Sequence, residues 1–337
     1  MTTTTTTHKD PHRADGKVDG NTIGEMFANR AAATPNAPAF MSKRAGQWQT
    51  MSWQEAYERA SDIAHGLLAL GCKPGDKVAI LGSTREEWTL TDLGLMLAGG
   101  VTVPIYPSSL KDSVGYILRD SEAVWVFAED QKQLQKLLSL RSELPTVKQV
   151  ILWLGTGEQS PETENWVMPL RELTDKGRAH RLAQPHALTE LRRGLLGSDI
   201  ATIIYTSGTT GRPKGVMLTH RNLMTMGLTY FVDVDPVASQ DAIVYAAPMS
   251  HGAGIYAIPH LMAGARHIVP ASGGVEPAEL FGLAKAAGPL SMFAAPTIVK
   301  RLVDHAEAHG ESSEGFKTIV YGGAPMYAAD IERAVRA

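Results

Sequence analysis

The chain has 337 residues, 44% of them hydrophobic and 20% charged, and carries a formal net charge of −3. Such a length is too great for one small domain, and such an apolar share suits a globular protein with a large core. The near-neutral balance argues against a chain built to grip a nucleic-acid backbone, which needs a basic surface.

Residues 1–20 (MTTTTTTHKDPHRADGKVDG) hold no apolar run, which excludes a secretory signal and predicts a disordered polar tail. From residue 50 helical and strand patterns alternate. SWQEAYERASDIAHGLLALG reads as a helix opened by a Ser52–Glu55 capping box and stopped at Gly71. KVAIL (Lys77 to Leu81) reads as a buried strand, and Ser83 with Glu86 reads as the start of a second boxed helix ending at Gly99 and Gly100. VTVPI, AVWVFA and KQVILWL are further short apolar runs, and Gly155 to Asn165 is a polar, turn-rich loop. After residue 197, DIATIIYT, DAIVYAAP, ARHIVP, PLSMFAAP and FKTIVYGG read as strands. THRNLMTMGLTYF, GIYAIPHLMAG and the stretches near 276–287 and 297–309 read as helices. Strands alternating with helices predict an α/β fold of right-handed crossovers and mainly parallel sheets. Two such units in succession suggest subdomains over residues 21–190 and 191–337. The second would be incomplete, because a sheet ending at Gly322 leaves an unpaired edge.

Cys72 is the chain's one cysteine, which cannot form an internal disulfide and points to a reducing, cytoplasmic setting. Its residue type suits a small buried apolar position. No apolar run reaches the roughly 18 residues that span a bilayer; the richest stretch, Gly252 to Pro270, is broken by Pro259, His260, Arg266 and His267. His305 and His309 stand one helical turn apart without a metalloprotease pattern, and read as a solvated helix end rather than a metal site.

The run YTSGTTGRPKGVMLTH (Tyr205 to His220) concentrates hydroxyls, glycines and cations between a strand and a helix. Backbone N–H groups converge on an anion in that setting. Gly208, Gly211 and Gly215 allow close approach of the backbone, while Thr206, Ser207, Thr209 and Thr210 add hydroxyl donors. Lys214 and Arg212 add charge. This suits a polyphosphate, whose negative charge grows on the leaving group as an anhydride breaks. Pro213 before Lys214 and Gly215 after it exclude the nucleotide loop of GTPases, which needs a hydroxyl after the lysine.

TSGTTGRPKG resembles the signature loop of the adenylate-forming superfamily, which includes acyl-CoA synthetases, luciferases and peptide-synthetase adenylation domains. APMSHGAG (Ala247 to Gly254) and YGGAPM (Tyr321 to Met326) resemble its next two motifs, in the family's order, and MFAAPT (Met292 to Thr297) adds support. The resemblance implies the large N-terminal part of a carboxylic acid–CoA ligase using ATP, Mg²⁺ and coenzyme A. Thr206, Ser207, Gly208, Thr209, Thr210, Gly211 and Lys214 would hold the phosphates, with Lys214 and His251 as catalytic groups. Gly323, Ala324 and Pro325 would form the adenine wall, and His251, Gly252, Ala253, Gly254 and Tyr256 would border the acyl pocket.

Ile105 to Phe127 is similar to long-chain fatty acyl-CoA synthetases, whereas Gly252–Ala253–Gly254 departs from them and leaves medium-chain and aromatic acids open. The family's later magnesium glutamate, ribose aspartate and catalytic lysine cannot be located in this sequence. The expectation is therefore a part of a longer product that adenylates its acid poorly alone. An adenylation domain serving a carrier protein, a non-catalytic nucleotide-binding descendant and, more remotely, a kinase-like NTPase stand as alternatives. A homo-oligomer is left open.

Overall fold

The computed structural model of the protein describes residues 20–155, 163, 165–206 and 212–337. The expected disordered tail therefore lies outside the described residues. A first helix, α1 (Ile23–Ala33), leads into the hairpin β1 (Pro38–Arg44) and β2 (Gln47–Ser52), then α2 (Trp53–Ala69). There follow β3 (Lys77–Leu81), α3 (Glu86–Ala98), β4 (Val101–Ile105), α4 (Lys111–Asp120), β5 (Trp125–Ala128), α5 (Gln131–Leu138), β6 (Gln149–Leu152) and β7 (Val167–Pro169). Helices α6 (Leu170–Ala183) and α7 (Ala187–Arg193) precede a second hairpin, β8 (Ile200–Thr206) and β9 (Lys214–Thr219), and α8 (His220–Asp233). The remainder is β10 (Ala242–Val244), α9 (Gly252–Ala263), β11 (Arg266–Ile268), α10 (Pro277–Ala287), β12 (Leu290–Ala294), α11 (Pro296–His309), β13 (Phe316–Tyr321) and α12 (Ala328–Arg336).

The strands form two sheets, ordered β7-β6-β5-β3-β4-β8-β9 and β13-β12-β10-β11-β1-β2. Every pairing is parallel except within the hairpins β1–β2 and β8–β9, so the α/β reading holds. The first sheet is built from the consecutive strands β3–β9, whereas the second is not contiguous in sequence: the β1–β2 hairpin joins the sheet of β10–β13 through β11. In β3 the side chains alternate as a pleated strand requires. Val78 and Ile80 belong to a core shared with α1, α2, α3, α8, α9 and the second sheet, while Ala79 and Leu81 pack in a separate core with α4 and α5. A third core places α10 and α11 on the far side of β10 and β12. Helices thus fill the space between the sheets and cover both outer faces.

The Ser52–Glu55 capping box is present, and Gly71 beyond the helix end takes the left-handed φ of +86°. The second expected box is not. Helix α3 starts at Glu86 behind Arg85, with no side-chain cap, and Ser83 turns instead to Glu129. The Ser83 amide and hydroxyl donate to the two carboxylate oxygens of Glu129 at 2.8 and 2.6 Å. Glu86 meanwhile is buried and accepts from Ser42 (2.7 Å), Arg44 and Arg59 (2.9 Å). A tertiary partner for each residue outcompetes the local cap.

Candidate active site

Three segments far apart in sequence meet at one cavity of about 440 Å³. The end of β8 brings Thr206, the start of α9 brings His251 and Gly252, and the residues just past β13 bring Gly322 and Gly323. Most of these positions follow the carboxyl ends of parallel strands, where open α/β sheets leave a crevice for ligands.

Each residue is held by the local chain. His251 occupies the N-cap position of α9, and its Nδ1–H donates to the Ser250 carbonyl oxygen at 3.2 Å, which leaves Nε2 as an acceptor. The preceding turn is pinned to the other sheet, because the Met249 amide donates to Thr84 Oγ1 at 3.0 Å. The His251 ring lies 5.1 Å from that of Tyr106, whose phenol pKa is raised by burial. Gly252 is required by a close approach: a Cβ there would lie 2.3 Å from the Phe293 ring. Gly323 adopts φ +86° with open space above it, so a planar group can lie against bare backbone.

The other expected site residues are placed as follows. Tyr256 does not line the cavity but stacks on Phe293, which does, with centroids 4.9 Å apart and planes within 10°. Ala253 is buried in the central core, and Gly254 faces a second, inner chamber. Ala324 and Pro325 are exposed beyond the end of β13, outside the lining. Lys214 is exposed at the start of β9, directly opposite Thr206 in the ladder. Ser207, Gly208, Thr209, Thr210 and Gly211 lie outside the described residues.

The setting of that loop corrects the sequence reading. It does not join a strand to a helix, since residues 214–219 form a strand antiparallel to β8 before α8 begins at His220. The helix N-terminus therefore stands a whole strand away from the loop, capped by Thr219 and Asn222. Gly215 serves this pairing, for a Cβ would lie 2.8 Å from Ile203 and 3.1 Å from the Tyr205 ring. The hairpin is steadied by Tyr116, whose hydroxyl donates to the Pro213 carbonyl at 3.0 Å, and by Tyr205, which donates to Asp120 at 2.6 Å.

Sequence reasoning passed over Tyr106, Phe293 and the β9 residues Val216 and Leu218, all of which line the cavity. A usable signal existed for Tyr106, which directly follows the fully buried strand VTVPI. For Phe293 none did, because its role depends on Gly252 approaching from another element. His260 and His267 are both internal: His260 donates from Nδ1 to the Tyr256 carbonyl at 3.0 Å, and His267 Nδ1 lies 2.6 Å from the Tyr245 hydroxyl. His305 and His309 stack on each other at 4.1 Å.

Chemically, Val216, Leu218, Ile255, Phe293 and Ile298 offer an apolar wall, with Thr206 and His251 as polar contacts and a cation on the adjacent hairpin stem. Among the described residues no three His, Cys, Asp or Glu side chains converge as metal ligands.

Comparison with known proteins gives the chain's family and fold. The chain is 38% identical over 179 residues to the long-chain-fatty-acid–CoA ligase FadD15 of Mycobacterium bovis, covering 53% of this chain and 28% of the relative. It is 32% identical over 253 residues to the long-chain-fatty-acid–CoA ligase ACSBG1 of Rattus norvegicus, covering 71% of this chain and 34% of the relative. The match thus spans about a third of the length of these curated relatives. In fold it is similar to the long-chain-fatty-acid–CoA ligase FadD1 of Archaeoglobus fulgidus, at a TM-score of 0.76 and 22% identity over 96% of this chain and 61% of that one. The profile of the family described as AMP-binding enzyme matches residues 27–337. With the cavity, the motif order and nearly the whole described chain in accord, the protein belongs to the AMP-binding enzyme family.

Proposed function

We propose that this chain forms the nucleotide- and acyl-binding part of a carboxylic acid–CoA ligase, with fatty acids foremost among its substrates. The observation that carries the reading is the convergence of Thr206, His251 and Gly323 on one cavity with an apolar wall. A carboxylate oxygen of the acid attacks the α-phosphorus of ATP, the bond to the bridging oxygen breaks, and pyrophosphate leaves. The sulfur of coenzyme A then attacks the acyl carbon, and the acyl–oxygen bond to AMP breaks.

In this reading Thr206, Lys214 and residues 207–211 hold the β- and γ-phosphates, where positive charge and hydrogen-bond donors favour the leaving group. His251 orients the carboxylate, and the 322–323 backbone receives the adenine, with Ala324 and Pro325 at its edge. Mg²⁺ enters as part of the Mg-ATP substrate. The similarity to long-chain-fatty-acid–CoA ligases supports the substrate class. The setting proposed is cytoplasmic, consistent with Cys72, a buried thiol that burial pushes up to about 12 and leaves unreactive.

The test is calorimetric titration of the chain with ATP, together with acid-dependent ATP–pyrophosphate exchange. Binding is expected, with exchange slow in the isolated chain. Lys214→Ala should weaken ATP binding, and lower any exchange by about 100-fold, as loss of one transition-state contact does. Absence of ATP binding, or hydrolysis of ATP to ADP, would refute the reading.

A further inference from the structure

Behind the 440 Å³ cavity lies a smaller chamber of about 70 Å³, enough for several water-sized groups. Ile204, His251 and Ile255 line both, so the inner chamber begins where the outer one ends. Its walls are mostly apolar, contributed by α1, α3, α8 and α9. Its polar content is nonetheless unusual.

Trp88, Thr89, Ser250 and His267 all line the chamber and are all more than nine-tenths buried. Trp88 Nε1, Thr89 Oγ1, Ser250 Oγ and His267 Nε2 each lack a hydrogen-bond partner among the described residues. Asp92 faces the same space and, among the described residues, its carboxylate accepts one hydrogen bond, from Thr102 Oγ1 at 2.6 Å. Burial pushes the Asp92 carboxyl up to about 6, the mark of an anion short of partners. Unpaired buried polar groups are costly and call for an occupant that can pair with them.

We propose that the inner chamber receives the far end of the acid, and that this end carries a hydroxyl. The inference rests on the ligase reading and deepens it. With the carboxylate beside His251, the chain of the acid passes between Ile204 and Ile255 and ends among the α3 side chains. A hydroxyl both donates and accepts: it donates to Asp92 and accepts from the Trp88 indole N–H. An ammonium only donates, leaving that N–H unpaired. A methyl terminus serves neither group, and sites built to bond a hydroxyl discriminate strongly against its absence.

The test is calorimetric titration of the 337-residue chain, in the presence of ATP, with decanoate, ω-hydroxydecanoate and ω-aminodecanoate. The hydroxy acid is expected to bind about tenfold or more tightly than decanoate, as a hydrogen bond to a charged group implies. Asp92→Leu should abolish or reverse that preference. Trp88→Phe, which removes the N–H and keeps an aromatic ring, should reduce it without unfolding the protein. Equal binding of decanoate and the hydroxy acid would overturn the inference and leave the ligase reading standing, the chamber's polar groups then being served by water. Preference for the amino acid would overturn the hydroxyl assignment. If no acid binds and ATP does not either, both readings fall together.

Discussion

A methyl group added at Gly177 would lie 1.8 Å from the carbonyl oxygen of Asp62, where α6 crosses α2. A methyl group added at Gly282, in the exposed interior of α10, would touch nothing within 4 Å. The same substitution should therefore have opposite effects. Gly282→Ala is expected to stabilise the protein by roughly 0.5–1 kcal/mol, because alanine loses less backbone freedom in a helix. Gly177→Ala should destabilise it by about 1–3 kcal/mol through overpacking. Thermal or urea unfolding of the two variants checks both signs. Nothing in the sequence distinguishes these glycines; each lies inside an ordinary helical pattern. Gly71 and Gly99, by contrast, are legible as helix ends, because a left-handed φ at a helix C-terminus is a local demand.

At the scale of elements, local chemistry succeeded wherever partners were near in sequence. Ser52 and Glu55 cap α2 reciprocally, through the Glu55 amide to Ser52 Oγ at 3.2 Å and the Ser52 amide to Glu55 at 2.7 Å. Ser52→Ala should cost about 1 kcal/mol in urea unfolding. Ser83→Ala tests the other outcome: combined with Glu129→Ala its effect should be strongly non-additive in urea unfolding, since the two are partners just beyond the ends of β3 and β5 rather than within a helix. If Ser83 were a cap, the Glu129 change would leave its effect untouched. Strand β9 was hidden for a related reason. KGVMLT follows a glycine- and proline-rich loop and borrows its regularity from β8, pairing Thr206 with Lys214 and Ile204 with Val216. Antiparallel pairing across a loop is a property of two segments, and single-segment periodicity does not report it.

At the scale of the whole molecule, the layer between the two sheets is where histidines are buried. His220 is 1% exposed, and its Nδ1 accepts from the Ile23 amide at 3.3 Å, tying α8 to α1. His260 is equally buried in α9. Desolvation brings both to about 4, against an ordinary 6.5, and lowers His267 well below it. These folded-state values lie below the unfolded ones, so the unfolded chain takes up more protons as pH falls. The stability they give is complete above pH 6.5 and is lost on acidification toward pH 4. His220 and His260 should each cost on the order of 2 kcal/mol between pH 7 and pH 5. Urea midpoints measured across that range should fall accordingly, and His220→Gln should flatten the decline. A stability independent of pH from 7 to 5 would contradict this account.

The residues alone determined the alternation of helix and strand, the parallel character of the sheets, the C-terminal ends of α2 and α3, and the short motifs that converge on the cavity. Each of these is written in neighbours along the chain, through periodicity, capping pairs or a run of glycines and hydroxyls. Only the tertiary structure decided that β1 and β2 belong to the sheet of β10–β13, that β8 is followed by an antiparallel strand β9 rather than directly by a helix, and that Phe293 and Tyr106 wall the cavity. The inner chamber and its unpaired polar groups belong to the same class. Those features depend on which surfaces meet after folding, and burial, pairing and unmet hydrogen bonds come into being only when distant segments exclude water from one another.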